Sequence, residues 1–151
     1  MNFRPRRQFL KQSILTLLGW CASKSGLSAW NASYFSASPY ADTLKQILNQ
    51  QTAIDSIDIK LSLPDIAENG AVVPIRISSD MNNIQQVYVL VEKNPTPLAA
   101  QFNLSPRVAV QLTARIKMAE SCNVVVIVQQ GDRFLSTQQW VKVSVGGCGT
   151  G

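Results

Sequence analysis

From residue 57 to the end of the chain, apolar side chains recur at every second position, and this period of two most limits what the chain can fold into. Ile57, Ile59, Leu61 and Leu63 alternate with Asp58, Lys60 and Ser62 until Pro64. Such a pattern gives an extended strand one apolar and one polar face, and proline, having no N–H to donate, ends it. The pattern, or a short apolar run, returns over 72–77, 87–91, 98–104, 108–118, 123–128, 134–135 and 140–145. Breakers separate the runs at Glu68-Asn69-Gly70, at residues 79–83, at Asn94-Pro95-Thr96-Pro97, at Ser105-Pro106 and at Gly131-Asp132. Turns thus arrive about every ten residues. Seven or eight short strands at that spacing predict an all-β fold, an immunoglobulin-like antiparallel β-sandwich. The last run leads straight into the C-terminal tail, so that tail is expected to leave from a sheet edge. Val124-Val125-Val126-Ile127-Val128 is apolar on both faces, which fits either a central strand or a strand covered by a partner subunit.

Only one helix is expected. Asp42 can cap it, and Leu44, Ile47 and Leu48 fall on one face, as a short packing helix requires. Upstream, residues 30–39 are rich in Ser, Ala and Asn and read as a linker. The sequence therefore divides into a leader over 1–29, a linker over 30–42, a sandwich over 43–145 that opens with the helix, and a tail over 146–151. With 151 residues and 46% apolar content, there is enough for one core.

The formal charge of +5 belongs to the leader. Arg4, Arg6, Arg7, Lys11 and Lys24 lie in the first thirty residues, which hold no acid; the remaining nine Lys and Arg face nine Asp and Glu. The basic balance therefore does not argue for a nucleic-acid partner. Arg6, Arg7, Phe9, Leu10 and Lys11, followed by the short apolar run 14–22, have the form of a twin-arginine export signal, although Pro5 stands where Ser or Thr is usual. Cleavage is expected near residues 27–29. The apolar run is too short to span a bilayer, and Trp20 is too large to precede a lipidated Cys21. A periplasmic location without a stable membrane anchor follows.

No histidine is present. This removes Ser/His and Cys/His nucleophile pairs and imidazole metal sites. There is no Gly-rich phosphate loop and no Cys-x-x-Cys pair, and Asp55/Asp58 and Asp65/Glu68 read as solvated carboxylates. No metal, cofactor or self-sufficient catalytic machinery is expected. With Cys21 removed in the leader, two thiols remain. Cys122 precedes an apolar strand and reads as a core residue; a disulfide with Cys148 is the alternative. Cys148 stands among Gly146, Gly147, Gly149, Thr150 and Gly151. Four glycines in six positions cannot hold one conformation unaided, so the tail reads as a flexible arm bearing a thiol. A frayed end, or an intermolecular disulfide between copies of a structural sandwich, are the other readings.

The ending Gly146-Gly147-Cys148-Gly149 resembles the C-terminal Gly-Gly-Cys-Gly-Gly arm of the SoxY family of sulfur carriers, with Thr150 in place of the final glycine and Gly151 added. Arg115-Ile116-Lys117-Met118-Ala119-Glu120-Ser121, Pro97-Leu98-Ala99-Ala100-Gln101-Phe102 and the twin-arginine leader are also similar to that family. The resemblance implies an immunoglobulin-like carrier subunit, not an enzyme, paired with a SoxZ-like subunit and bearing thiosulfate-derived sulfur on Cys148. It further implies a SoxAX-type haem enzyme that loads the thiol, a SoxB-type hydrolase that releases sulfate and, where present, a SoxCD-type sulfane dehydrogenase.

Overall fold

The computed structural model describes residues 32–105 and 107–144. A 3-10 turn over Ala32–Phe35 and helix α1 (Tyr40–Leu48) precede the strands. These are β1 (Ala53–Asp55), β2 (Lys60–Ser62), β3 (Ile66–Ala67), β4 (Val73–Ser79), β5 (Ile84–Val91), β6 (Leu98–Asn103), β7 (Val110–Ile116), β8 (Cys122–Gln130) and β9 (Arg133–Val143). The larger sheet runs β1-β9-β8-β5-β6, with β3 also on β9, and the smaller runs β2-β4-β7. The expected immunoglobulin-like sandwich is the fold observed.

Residues 124–128 are apolar on both faces because both faces are covered. Val124, Val126 and Val128 point toward the small sheet and meet Val87, Val89 and Val91 of β5 and Ile75 and Ile77 of β4. Val125 and Ile127 point the other way and pack with Tyr88, Leu90, Leu98 and Phe134 beneath Ile47 and Leu48 of α1. Each fully buried aliphatic side chain contributes roughly 1.5–3 kcal/mol, so this strand anchors two cores at once. It lies between β5 and β9 and is central, one of the two readings its sequence allowed. Within the stretch read as a linker, Tyr34, Phe35 and Tyr40 pack against the second cluster.

Three sequence expectations need correction. Helix α1 begins at Tyr40 after Pro39, which stands at the cap position with a non-helical ψ of 142° and no side-chain cap bond; Asp42 is not the cap but lies in the first turn, exposed, where a carboxylate favours the positive end of the helix dipole. The run expected to start at Ile57 starts instead at Lys60. Ile57 sits in a turn and is 96% exposed, because Ser56 Oγ accepts the Asp58 N–H at 3.2 Å and a local turn replaces the ladder. The third correction concerns β9. Two separate runs were expected at 134–135 and 140–145, with the polar residues 136–139 between them left outside either strand. One strand runs through them, and they find partners: Ser136 Oγ donates to Asp55 Oδ1 at 3.0 Å, and Gln139 Nε2 donates to the Leu63 carbonyl at 3.0 Å. The β8–β9 hairpin closes through Gly131-Asp132, with Gly131 at φ +61°, a left-handed position that suits glycine in a two-residue turn.

Nor is β9 an edge strand. One side pairs with β8 from Cys122↔Val141 to Gln130↔Arg133. The other pairs in parallel with β1 over residues 134–136 and with β3 over 142–143. Strands of two and three residues are too short to reveal a period, so the sequence could not announce them.

Candidate functional site

Of the two thiols left by the sequence reading, only Cys122 lies among the described residues. It is the first residue of β8, paired across the ladder with Val141, and has no exposed surface. It is free of any disulfide there. Burial pushes its thiol above the usual cysteine range, and backbone hydrogen bonding at Lys93 only partly offsets this. Since the thiolate is the nucleophile, an enclosed thiol with a raised pKa is inert. Cys122 is thus the core residue the sequence suggested. Cys122→Ala is expected to cost about 1–2 kcal/mol by cavity arithmetic, a fall in Tm of several degrees in a thermal melt. Finding a sulfur adduct on Cys122 would overturn this assignment.

Cys148, Gly146, Gly147, Gly149, Thr150 and Gly151 lie outside the described residues, as do Arg6, Arg7, Phe9, Leu10 and Lys11 of the export signal. The structure does describe the root from which the arm departs. Lys142 N–H donates to the Asp65 carbonyl at 2.9 Å and Ser144 N–H to the Ala67 carbonyl at 3.0 Å, extending the β3 ladder to the end of the described chain. On the opposite side Val143 N–H donates to Ser121 Oγ at 2.9 Å. Each such bond contributes on the order of 1 kcal/mol net, and together they hold the strand end from both flanks.

Gly70 brings a third segment against this root. A Cβ there would stand 2.5 Å from the Met118 carbonyl oxygen and 2.9 Å from Val143 Cγ1, so only glycine permits the approach. Its own carbonyl accepts the Met118 N–H at 2.7 Å. Asn94 clamps the same segment, donating through Nδ2 to the Lys117 carbonyl at 2.7 Å and accepting the Ala119 N–H on Oδ1 at 2.9 Å. The two body stretches noted in the sequence, beginning at Pro97 and Arg115, meet here and line one groove of about 640 Å³. Sequence reasoning missed this arrangement. Gly70 and Asn94 sit in Asn-Gly and Asn-Pro pairs whose turn signal masks their packing roles.

Among the described residues, no group of three or more His, Cys, Asp and Glu side chains is placed to hold a metal ion. Asp55 accepts from Ser136, and Asp58 accepts from Ser56 at 3.4 Å, so neither faces a second carboxylate in a site.

The family described as sulfur oxidation protein SoxY matches residues 44–148, a span that ends on Cys148. Among solved structures, the sulfur carrier protein SoxY from Chlorobium limicola f thiosulfatophilum is similar with a TM-score of 0.65 and 30% sequence identity, over 73% of this chain and 100% of that one. A superoxide reductase (neelaredoxin) from Ignicoccus hospitalis is similar at a TM-score of 0.45 and 16% identity, over 57% of this chain and 80% of that one. No curated protein sequence matches. With the family matched over most of the sequence and a solved member covered along its whole length, the chain belongs to the SoxY family of sulfur oxidation proteins.

Proposed function

We propose that this chain is a periplasmic carrier that holds thiosulfate-derived intermediates covalently on Cys148 and presents them to the enzymes of a sulfur-oxidation system. Members of its family are carrier subunits rather than enzymes. The observation that supports Cys148 most directly is the enclosure of Cys122: with that thiol sealed in the core, and Cys21 in the leader, Cys148 is the thiol left for the work. Joining a thiol to thiosulfate forms a sulfur–sulfur bond, releases the thiol proton and leaves two electrons to be removed. This chain has no histidine, and among its described residues no metal cluster, so the electrons leave through a partner such as a SoxAX-type enzyme. A SoxB-type hydrolase then releases sulfate, a SoxCD-type dehydrogenase acts where one exists, and a SoxZ-like subunit forms the heterodimer. The twin-arginine signal would export the chain by the route for folded proteins.

Mass spectrometry of the mature protein, incubated with thiosulfate and its loading enzyme, is expected to show thiosulfonate and shorter sulfur adducts on the peptide containing Cys148. Disulfide-linked dimers with no sulfur adduct would instead support a structural cross-link and overturn the carrier reading.

A further inference from the structure

At the end of the sandwich remote from the last residues of β9, amides and phenols enclose a hollow of about 340 Å³. Helix α1 and the turn after it supply Gln46, Asn49 and Gln51, β5 supplies Gln86 and Tyr88, and β8 supplies Gln129. Tyr34 closes the hollow from the N-terminal 3-10 turn. Gln129 lies seven residues beyond Cys122 on β8, about 23 Å along the strand from the end at which β9 finishes. Ile47, Tyr88 and Phe134 are buried and form the apolar wall. Asp132 is the one carboxylate in the lining, and among the described residues no cation lines it; the neighbouring Arg133 instead donates to Gln130 Oε1 at 3.0 Å.

This lining has bonding capacity that the fold leaves unused. Tyr88 Oη donates to Gln86 Oε1, so the Gln86 amide nitrogen has no partner among the described residues. Gln129 Nε2 donates to the Gly131 carbonyl at 3.2 Å, and its amide oxygen is likewise left over. The Tyr34 hydroxyl goes to the Gln46 backbone carbonyl at 3.5 Å, which spares the Gln46 side chain. Burial, with Tyr34 nearby, pushes the Tyr88 phenol up to about 12, so it stays a proton donor at every physiological pH.

The backbone beside the hollow is held in a costly shape. Asn49 and Gln50 follow one another at φ +46° and +68°, left-handed positions that residues other than glycine rarely adopt. The Gln51 N–H donates to the Leu48 carbonyl at 2.9 Å and locks this turn, which sets Asn49 and Gln51 in the lining. Strain of this kind gathers at ligand-binding sites.

The chemistry of the lining selects the ligand. An anion meets a carboxylate and no cation, and an apolar molecule would strip water from amides without replacing their hydrogen bonds. A side-chain amide donates and accepts from one planar group, which matches the adjacent hydroxyls of a sugar ring, while the rings of Tyr34, Tyr88 and Phe134 offer apolar surface to its C–H face. Small-ligand pockets start at roughly 300 Å³, so this one admits a single ring. We propose that the hollow is a binding site for one neutral pyranose, held by the amides of Gln51, Gln86 and Gln129 and the carboxylate of Asp132. Nothing in it depends on Cys148, so sugar occupancy and sulfur loading are separate properties.

The test is a nitrogen-15 titration of the full mature chain with the methyl glycosides of glucose, galactose and mannose and with N-acetylglucosamine. At least one of these rings is expected to shift the side-chain amides of Gln51, Gln86 and Gln129 saturably. Its Kd should be on the order of 1 mM, the affinity that a molecule of about a dozen non-hydrogen atoms reaches at ordinary ligand efficiency. Gln51→Ala, at an exposed position, and Gln129→Met, which keeps the volume, should each weaken binding by about fivefold, the worth of one hydrogen bond. Sorbitol, sulfate and trialanine run alongside as an open-chain polyol, an anion and a peptide. No saturable shift from any of the rings, equal shifts from sorbitol, tighter binding of sulfate or trialanine, or affinity unchanged in both variants would each overturn the sugar site. Whether partner enzymes load Cys148 is read separately by mass, so a failed hollow and a failed carrier give different results.

Discussion

Cys148→Ser is expected to abolish thiosulfate-dependent electron transfer in the reconstituted system, leaving only the background seen without the carrier. A hydroxyl cannot form the sulfur–sulfur bond, and no other thiol can substitute, since Cys122 has no exposed surface. Folding should be unaffected. Among the described residues, the buried apolar side chains run from Ile47 to Val141, and the last one packed against either cluster is Val143. A thermal melt superimposable on that of the parent, beside zero cytochrome reduction, is the expected pair of measurements. A variant that turns over at the parent rate would mean that the cargo rides elsewhere.

Replacing Gly147 and Gly149 together with Val should produce the second large effect. If the thiol must enter several different enzymes, its neighbours must be slim and able to take a different backbone shape in each. Glycine meets both needs, whereas a branched side chain adds bulk on either side of the sulfur and removes much of the accessible φ range. Loading and unloading by partner enzymes should fall at least tenfold. Reaction of Cys148 with a small thiol reagent should stay within about twofold, and stability should not change. Equal losses in both assays would mean that the glycines tune the thiol and not its access.

The sandwich was legible because its period is long and regular. Val73, Ile75 and Ile77 of β4 are buried at alternate positions, and the doubly apolar run of β8 narrowed its place to two readings, of which the central one is observed. What escaped the sequence were features whose cause lies elsewhere in the chain. Ser136 and Gln139 look like strand breakers until Asp55 and the Leu63 carbonyl are seen opposite them. Ile57 fits the alternation by identity yet is thrown outward by the turn that spans it, closed by the Asp58 N–H donating to Ser56 Oγ. The reading of residues 146–151 as a thiol arm rests on composition alone, since they lie outside the described residues. The groove beside the end of β9 was not legible, because Gly70 and Asn94 carry turn signals that mask how they pack against residues 117–119.

The double flanking of β9 makes the carrier a depth gauge. A strand end that frayed would pay out about 3.3 Å of extra line for each residue released, and the thiol's range would vary with every fluctuation. Hydrogen bonds at Lys142, Val143 and Ser144 take up that slack. The line then starts from a fixed point, with four residues to the sulfur. A reacting group that lies close to about 14 Å deep can be served only by pressing the enzyme's mouth against the end of the sandwich, and a deeper one is out of reach. On the carrier reading, partners would be sorted by how closely their surfaces fit around Ser121, Gly70 and the end of β9, before any chemistry begins.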